Sequence, residues 1–271
     1  MYDITLHLGV HKTATTHFQS RLSNSNDLLL QEHVAYIDLA DIRKLITSRI
    51  DDGVLLEDKI KGVVASASRV IISDENLLGG TDKPEDNLIY PDAYARLSKL
   101  LYKTRCSVSA VHITIRDPEE YMISRYCEYL RHYRFLSFFE YLDSFDVRSF
   151  SWIPLIEDIE KAVGKKIKVT LFEKVFENES VYLKNLTGLD KEFASASEGA
   201  AIRRSKISLE AYRILEQLSD YYPRHMTKKL MNMMDNNQQR TKGTPFKPFS
   251  AELSKLLKEN YEADKAVLGL I

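Results

Sequence analysis

One lysine and three threonines stand close together in Leu6-His7-Leu8-Gly9-Val10-His11-Lys12-Thr13-Ala14-Thr15-Thr16, where an apolar strand pattern gives way to a helical one. A strand-loop-helix junction of that composition is an anion site. Backbone N–H groups of a first helical turn point outward with the positive end of the helix dipole behind them. Threonine hydroxyls and the lysine ammonium add donors for phosphate or sulfonate oxygens. The pattern is not that of an NTPase. Counting GxxxxGK(S/T) from Gly9 puts Ala14, Thr15 and Thr16 where Gly, Lys and Ser or Thr are required. The cation lies inside the loop instead, at Lys12.

Further groups downstream complete such a site. Val111-His112-Ile113-Thr114-Ile115-Arg116-Asp117-Pro118 reads as a strand ending in Arg116, followed by a helix that carries Ser124 about two turns in. A planar guanidinium and a hydroxyl so placed suit a terminal phosphate. If such a site moved a group onto an O–H, it would also need a residue to take the proton. Glu75, in Ser73-Asp74-Glu75-Asn76 at the end of an apolar run, and His11 are the two candidates. The plainer readings are that Glu75 caps a turn and His11 shapes the loop. His7 and His112 lie on strands and read as core histidines. Arg240-Thr241-Lys242-Gly243 precedes the last helical pattern, while Arg203-Arg204-Ser205-Lys206 forms a second basic cluster read as an exposed helix start. No HExxH, catalytic-triad or EF-hand spacing occurs, so no metal site is expected.

Taken together these segments resemble the bacterial sulfotransferases that use 3′-phosphoadenosine 5′-phosphosulfate (PAPS). His7 to Thr16 follows the family's 5′-phosphosulfate signature, written HxGxxKTGTT, with Ala14 in place of its second glycine. Arg116 with Ser124 matches the 3′-phosphate segment, and Ser73-Asp74-Glu75-Asn76 matches an SxEN stretch. The resemblance implies a PAPS-dependent sulfotransferase releasing adenosine 3′,5′-bisphosphate. Lys12 would act on the transferring group, and Thr13, Ala14, Thr15 and Thr16 would hold the 5′ end. Arg116 and Ser124 would hold the 3′ end, with Arg240, Lys242 and Gly243 as a loop over the nucleotide. The acceptor implied is a hydroxyl on a glycan, a lipid-linked sugar or a small metabolite. If position 14 requires φ > 0, alanine there is strained. Two other readings stand beside this one. Val70-Ile71-Ile72-Ser73-Asp74-Glu75 could serve as the strand and acid of an ATP-dependent kinase or NTPase, and a binding module could keep the pocket without the chemistry.

The elements that must position these groups alternate. Periodicity and breakers predict strands over 4–8, 69–74, 108–115 and 167–172, and helices over 15–31, 55–67, 92–102 and 119–134. From 208 onward the pattern is helical, interrupted by a loop over 236–249 with Pro245 and Pro248. The expected fold is α/β, a mostly parallel sheet flanked by helices of the P-loop-like sulfotransferase type. It forms one domain over 1–271, with the nucleotide-binding core over 1–175 and a helical completion over 176–271. The 271 residues are 44% hydrophobic, enough for a core, and the net charge of −1 argues against a non-specific nucleic-acid binder. Cys106 and Cys127 lack zinc or disulfide spacing. The apolar run from Ile4 stops at His11-Lys12, too soon for a signal peptide, and no stretch reaches the length of a membrane span, so a cytoplasmic enzyme is expected.

Overall fold

The computed structural model describes residues 3–52, 55–63, 67–80, 89–143, 145–197, 207–236 and 243–270. Its elements in chain order are β1 (Asp3–His7), α1 (Thr15–Asn24), α2 (Asn26–Gln31), β2 (Val34–Tyr36), α3 (Leu39–Leu45), α4 (Glu57–Val63), β3 (Arg69–Ser73), α5 (Ala93–Thr104), β4 (Ser107–Ile115), α6 (Pro118–His132), α7 (Phe138–Tyr141), α8 (Ile153–Val163), β5 (Lys168–Leu171), α9 (Phe172–Val175), α10 (Glu179–Thr187), α11 (Leu209–Ser219), α12 (Arg224–Asn236) and α13 (Ala251–Val267). The strands form one sheet in the order β2-β3-β1-β4-β5, and every pairing is parallel. Helices cover the sheet, as its apolar strands demand: Val70, Ile71 and Ile72 of β3 are fully buried.

β1 lies between β3 and β4. The chain leaves β1 toward the β2 edge and leaves β4 toward the β5 edge, so the direction of winding switches between these two neighbours. A crevice opens at the carboxyl ends of strands at such a point. That is where the loop after β1 and Arg116 after β4 emerge.

The helix expected over 15–31 is two helices. Ser25 ends α1, its N–H meeting the carbonyls of Arg21 and Leu22, and its hydroxyl accepts the Ala194 N–H at 2.8 Å. Ser-Asn-Ser-Asn favours caps over helix interiors, and the contact from residue 194 fixes the break. β2 has no counterpart in the sequence reading because three residues are too few to show alternation. His7 and His112 are buried as expected. His7 joins Ser73 Oγ at 2.7 Å and the Tyr182 hydroxyl at 2.9 Å, and Tyr182 also meets Thr114 Oγ1 at 3.0 Å. Burial, and then the charge of His112, lower the His7 pKa to about 3, so it stays neutral.

One apolar cluster runs from Ile4 through Trp152 to Phe246, Leu257 and Tyr261, tying the C-terminal helices to the sheet. Asp264 of α13 accepts the Ser151 hydroxyl and the Trp152 N–H, both at 2.7 Å. Among the described residues no helix is long and apolar enough to cross a membrane.

Candidate functional site

Leu8 and Val10 continue β1 alongside β4, their N–H groups reaching the carbonyls of His112 and Thr114 at 3.0 Å. Beyond them the chain turns through left-handed backbone at Lys12 (φ 69°) and Ala14 (φ 63°). Thr13 tightens the turn by donating to the Val10 carbonyl at 2.6 Å. Gly9, at φ 88°, is required by a close approach: a Cβ there would lie 2.9 Å from Cβ of Glu75. The backbone N–H groups of Thr13, Ala14, Thr15 and Thr16 meet no acceptor among the described residues, which leaves a row of donors at the mouth of α1.

Ala14 does occupy the left-handed region, as the glycine in the signature would. An L-residue there costs about 1–2 kcal/mol, partly offset by the extra chain entropy of glycine. Ala14→Gly is therefore expected to stabilise the protein by about 0.5–1 kcal/mol and raise its melting temperature by roughly 2–3 °C. A melting temperature equal to or below wild type would show that the turn is not strained.

The segment around Lys12 and the segment ending in Arg116 meet. Arg116 Nη1 donates to the carbonyl of Lys12 at 3.2 Å, and Nη2 to Glu120 Oε2 at 3.2 Å. The guanidinium lies 4.5 Å from the Phe172 ring centroid, and the Arg116 carbonyl accepts Trp152 Nε1–H at 2.9 Å. Lys12 Nζ donates to Glu128 Oε2 at 2.6 Å. Glu120, Ser124 and Glu128 follow one another at four-residue spacing on α6, so one helix face meets the loop. Ser124 is half-buried between the two glutamates.

Glu75 and His11 both lie against Gly9. Asp74, fully buried, accepts the Thr47 hydroxyl at 2.7 Å and the Asn76 N–H at 3.1 Å, and takes up Arg43. Glu75 Oε1 faces Arg43 Nη2 at 3.2 Å, while Oε2 is enclosed without a partner among the described residues. Burial raises the Glu75 carboxyl above the usual range, with the Asp74 charge adding to it. With the Asn76 oxygen turned to Arg43 (3.1 and 3.3 Å), its nitrogen donates to His11 Nε2 at 3.0 Å. That leaves Nδ1–H of His11 to donate to the Tyr90 hydroxyl at 2.6 Å, beside the His11 N–H at 2.9 Å. Both ring nitrogens are thus engaged. Burial and the nearby charges of Arg125, Lys12 and Arg43 lower its pKa to about 3.

Gly243 lines a cavity of about 230 Å³ together with Glu119, Glu120 and Ile123 of α6, which brings it to the Arg116 side of the cleft. Arg240 and Lys242 lie outside the described residues, as do Arg203 and Arg204. Glu120, Glu128 and Tyr90 were not singled out in the sequence. A stripe of polar residues at four-residue spacing behind Arg116 was the available signal for the two glutamates.

No family model matches the chain, and no curated protein matches it. Among solved structures the chain is similar to a sulfotransferase from Alicyclobacillus acidocaldarius, with a TM-score of 0.44 and 12% identity over 87% of this chain and 96% of that one.

Proposed function

We propose that this protein is a sulfotransferase that moves a sulfuryl group from PAPS to an acceptor hydroxyl on a glycan, a lipid-linked sugar or a small metabolite. The observation that carries this reading is the contact between Arg116 and the Lys12 carbonyl. It joins a loop with unmet N–H donors to a strand end bearing a guanidinium, in one crevice and 104 residues apart in the chain. A donor with one anionic group at each end fits that pair. In this reading Lys12 takes the charge that develops between sulfur and the leaving phosphate. Thr13 to Thr16 supply N–H groups to the 5′ end, while Arg116 and Ser124 hold the 3′-phosphate with Gly243 beside them. His11 shapes the loop.

The kinase reading needs an acid free to work beside a nucleotide. Asp74 instead has its oxygens taken by Thr47, Arg43 and the Asn76 N–H. The Walker A lysine position holds Thr15.

Adenosine 3′,5′-bisphosphate at 100 times its Kd is expected to stabilise the protein by about 2.7 kcal/mol without magnesium, a rise of roughly 5 °C or more in melting temperature. A response to Mg-ATP and none to the bisphosphate would replace this reading with the kinase one.

A further inference from the structure

We propose that Glu128 takes the proton of the acceptor hydroxyl, and that in the donor-free protein the same carboxylate holds Lys12 in place; the proposal rests on the sulfuryl-transfer reading above.

The argument begins with place. The residue that acts on the transferring group is Lys12, so the proton acceptor must lie within a few ångströms of its ammonium. Glu128 Oε2 is 2.6 Å from Lys12 Nζ. It projects from the α6 face that carries Ser124 one turn earlier, and its side chain is 24% exposed, open to a substrate. Glu75, the carboxylate favoured by motif, packs against Gly9 with one oxygen on Arg43 and the other enclosed.

Glu128 is also well positioned. Its Oε2 accepts from Arg131 Nη1 at 2.5 Å and its Oε1 from His132 Nε2 at 3.0 Å. Arg131 is itself buried, which fixes the carboxylate on the helix. In the reaction the acceptor oxygen forms a bond to sulfur and the bond from sulfur to the 5′-phosphate oxygen breaks. The electron pair of that bond leaves with the phosphate, and the hydroxyl proton passes to Glu128, which later returns it to solvent. Burial opposes ionisation of Glu128, but Lys12, Arg131 and His132 outweigh it and hold the carboxyl well below the usual range. When Lys12 moves onto the donor, that carboxylate loses one of its cations and gains basicity. A carboxylate of ordinary strength suffices for such a role in phosphoryl transfer.

The experiment compares wild type with Glu128→Gln, Glu128→Asp and Glu75→Gln. Calorimetry reads the affinity for adenosine 3′,5′-bisphosphate, and turnover is read from radiolabelled PAPS with p-nitrophenol and with water as acceptors. Glu128→Gln is expected to bind the bisphosphate several-fold more tightly, because Lys12 no longer has to leave an anion, while turnover falls at least 100-fold. Glu128→Asp, which keeps the counter-charge for Arg131, should bind like wild type and recover part of the turnover; Glu75→Gln should stay within threefold of wild type. The proposal is overturned if Glu128→Gln turns over within threefold of wild type, if its bisphosphate affinity falls tenfold, or if Glu75→Gln shows the loss instead. A Glu128→Gln protein that does not fold leaves the decision to Glu128→Asp, where wild-type turnover overturns the proposal. Wild type alone decides the underlying reading: no bisphosphate binding removes the sulfotransferase assignment, and binding without turnover on these or on a broad set of hydroxylated acceptors removes its chemistry and this role with it.

Discussion

Lys12→Ala is expected to lower sulfuryl transfer by about 10³-fold, the effect of removing one preorganised donor aimed at developing charge. Its bisphosphate affinity is expected to fall by roughly 10- to 100-fold, as for a lost charge-assisted hydrogen bond. Alanine is the informative replacement because Lys12 has φ 69°. Glycine would relax the backbone as well as remove the cation, whereas alanine keeps the same strain. The loss of the Lys12–Glu128 pair itself should cost little, since both side chains reach solvent (20% and 24% exposed) and screening weakens such pairs to about 1 kcal/mol or less. Radiolabelled PAPS turnover and a melting curve on the same preparation separate the two effects. Turnover within tenfold of wild type would remove Lys12 from the chemistry. An inactive wild type across a broad set of acceptors would instead favour the binding-module reading.

The second large effect is structural. Trp152→Ala is expected to destabilise the protein by about 3–5 kcal/mol, the range for an aromatic side chain deleted from a core, and to lower the melting temperature by roughly 10 °C. Trp152 is completely buried. Its ring meets Tyr121 and Phe150 edge-on at 4.9 and 5.0 Å between centroids. Its Nε1–H also satisfies the carbonyl of Arg116, so the deletion orphans a polar group beside Arg116 as well as opening a cavity. Trp152→Phe separates these, keeping most of the packing while losing about 1 kcal/mol for the hydrogen bond. Its bisphosphate affinity should fall with only a small drop in stability. A melting temperature for Trp152→Ala within 3 °C of wild type would contradict the assignment of Trp152 to the core that braces Arg116.

The strands β1, β3, β4 and β5 were readable because each is an apolar run bounded by breakers, and their alternation with helical periodicity implied parallel pairing. The edge strand β2 was not, and neither was the break at Ser25, which depends on a backbone group from residue 194. Position 14 shows how far a motif carries: the signature raised the question of a positive φ there, and Ala14 adopts left-handed backbone. The motif did not show that Glu75 lies beneath Gly9 with Arg43 against it, or that Asn76 and Tyr90 engage both nitrogens of His11.

By itself the sequence determined the kind of loop, the order of strands and helices, and the presence of anion-seeking residues at two strand ends. Each of these is a local property, set by dihedral preferences and apolar spacing within about a dozen residues. The tertiary structure decided which of those residues share a cleft and which carboxylate reaches Lys12. Lys12 and Glu128 are 116 positions apart. They meet because parallel crossovers return β1 and β4 to the same end of the sheet, so the loop after one strand lies against the helix that follows the other.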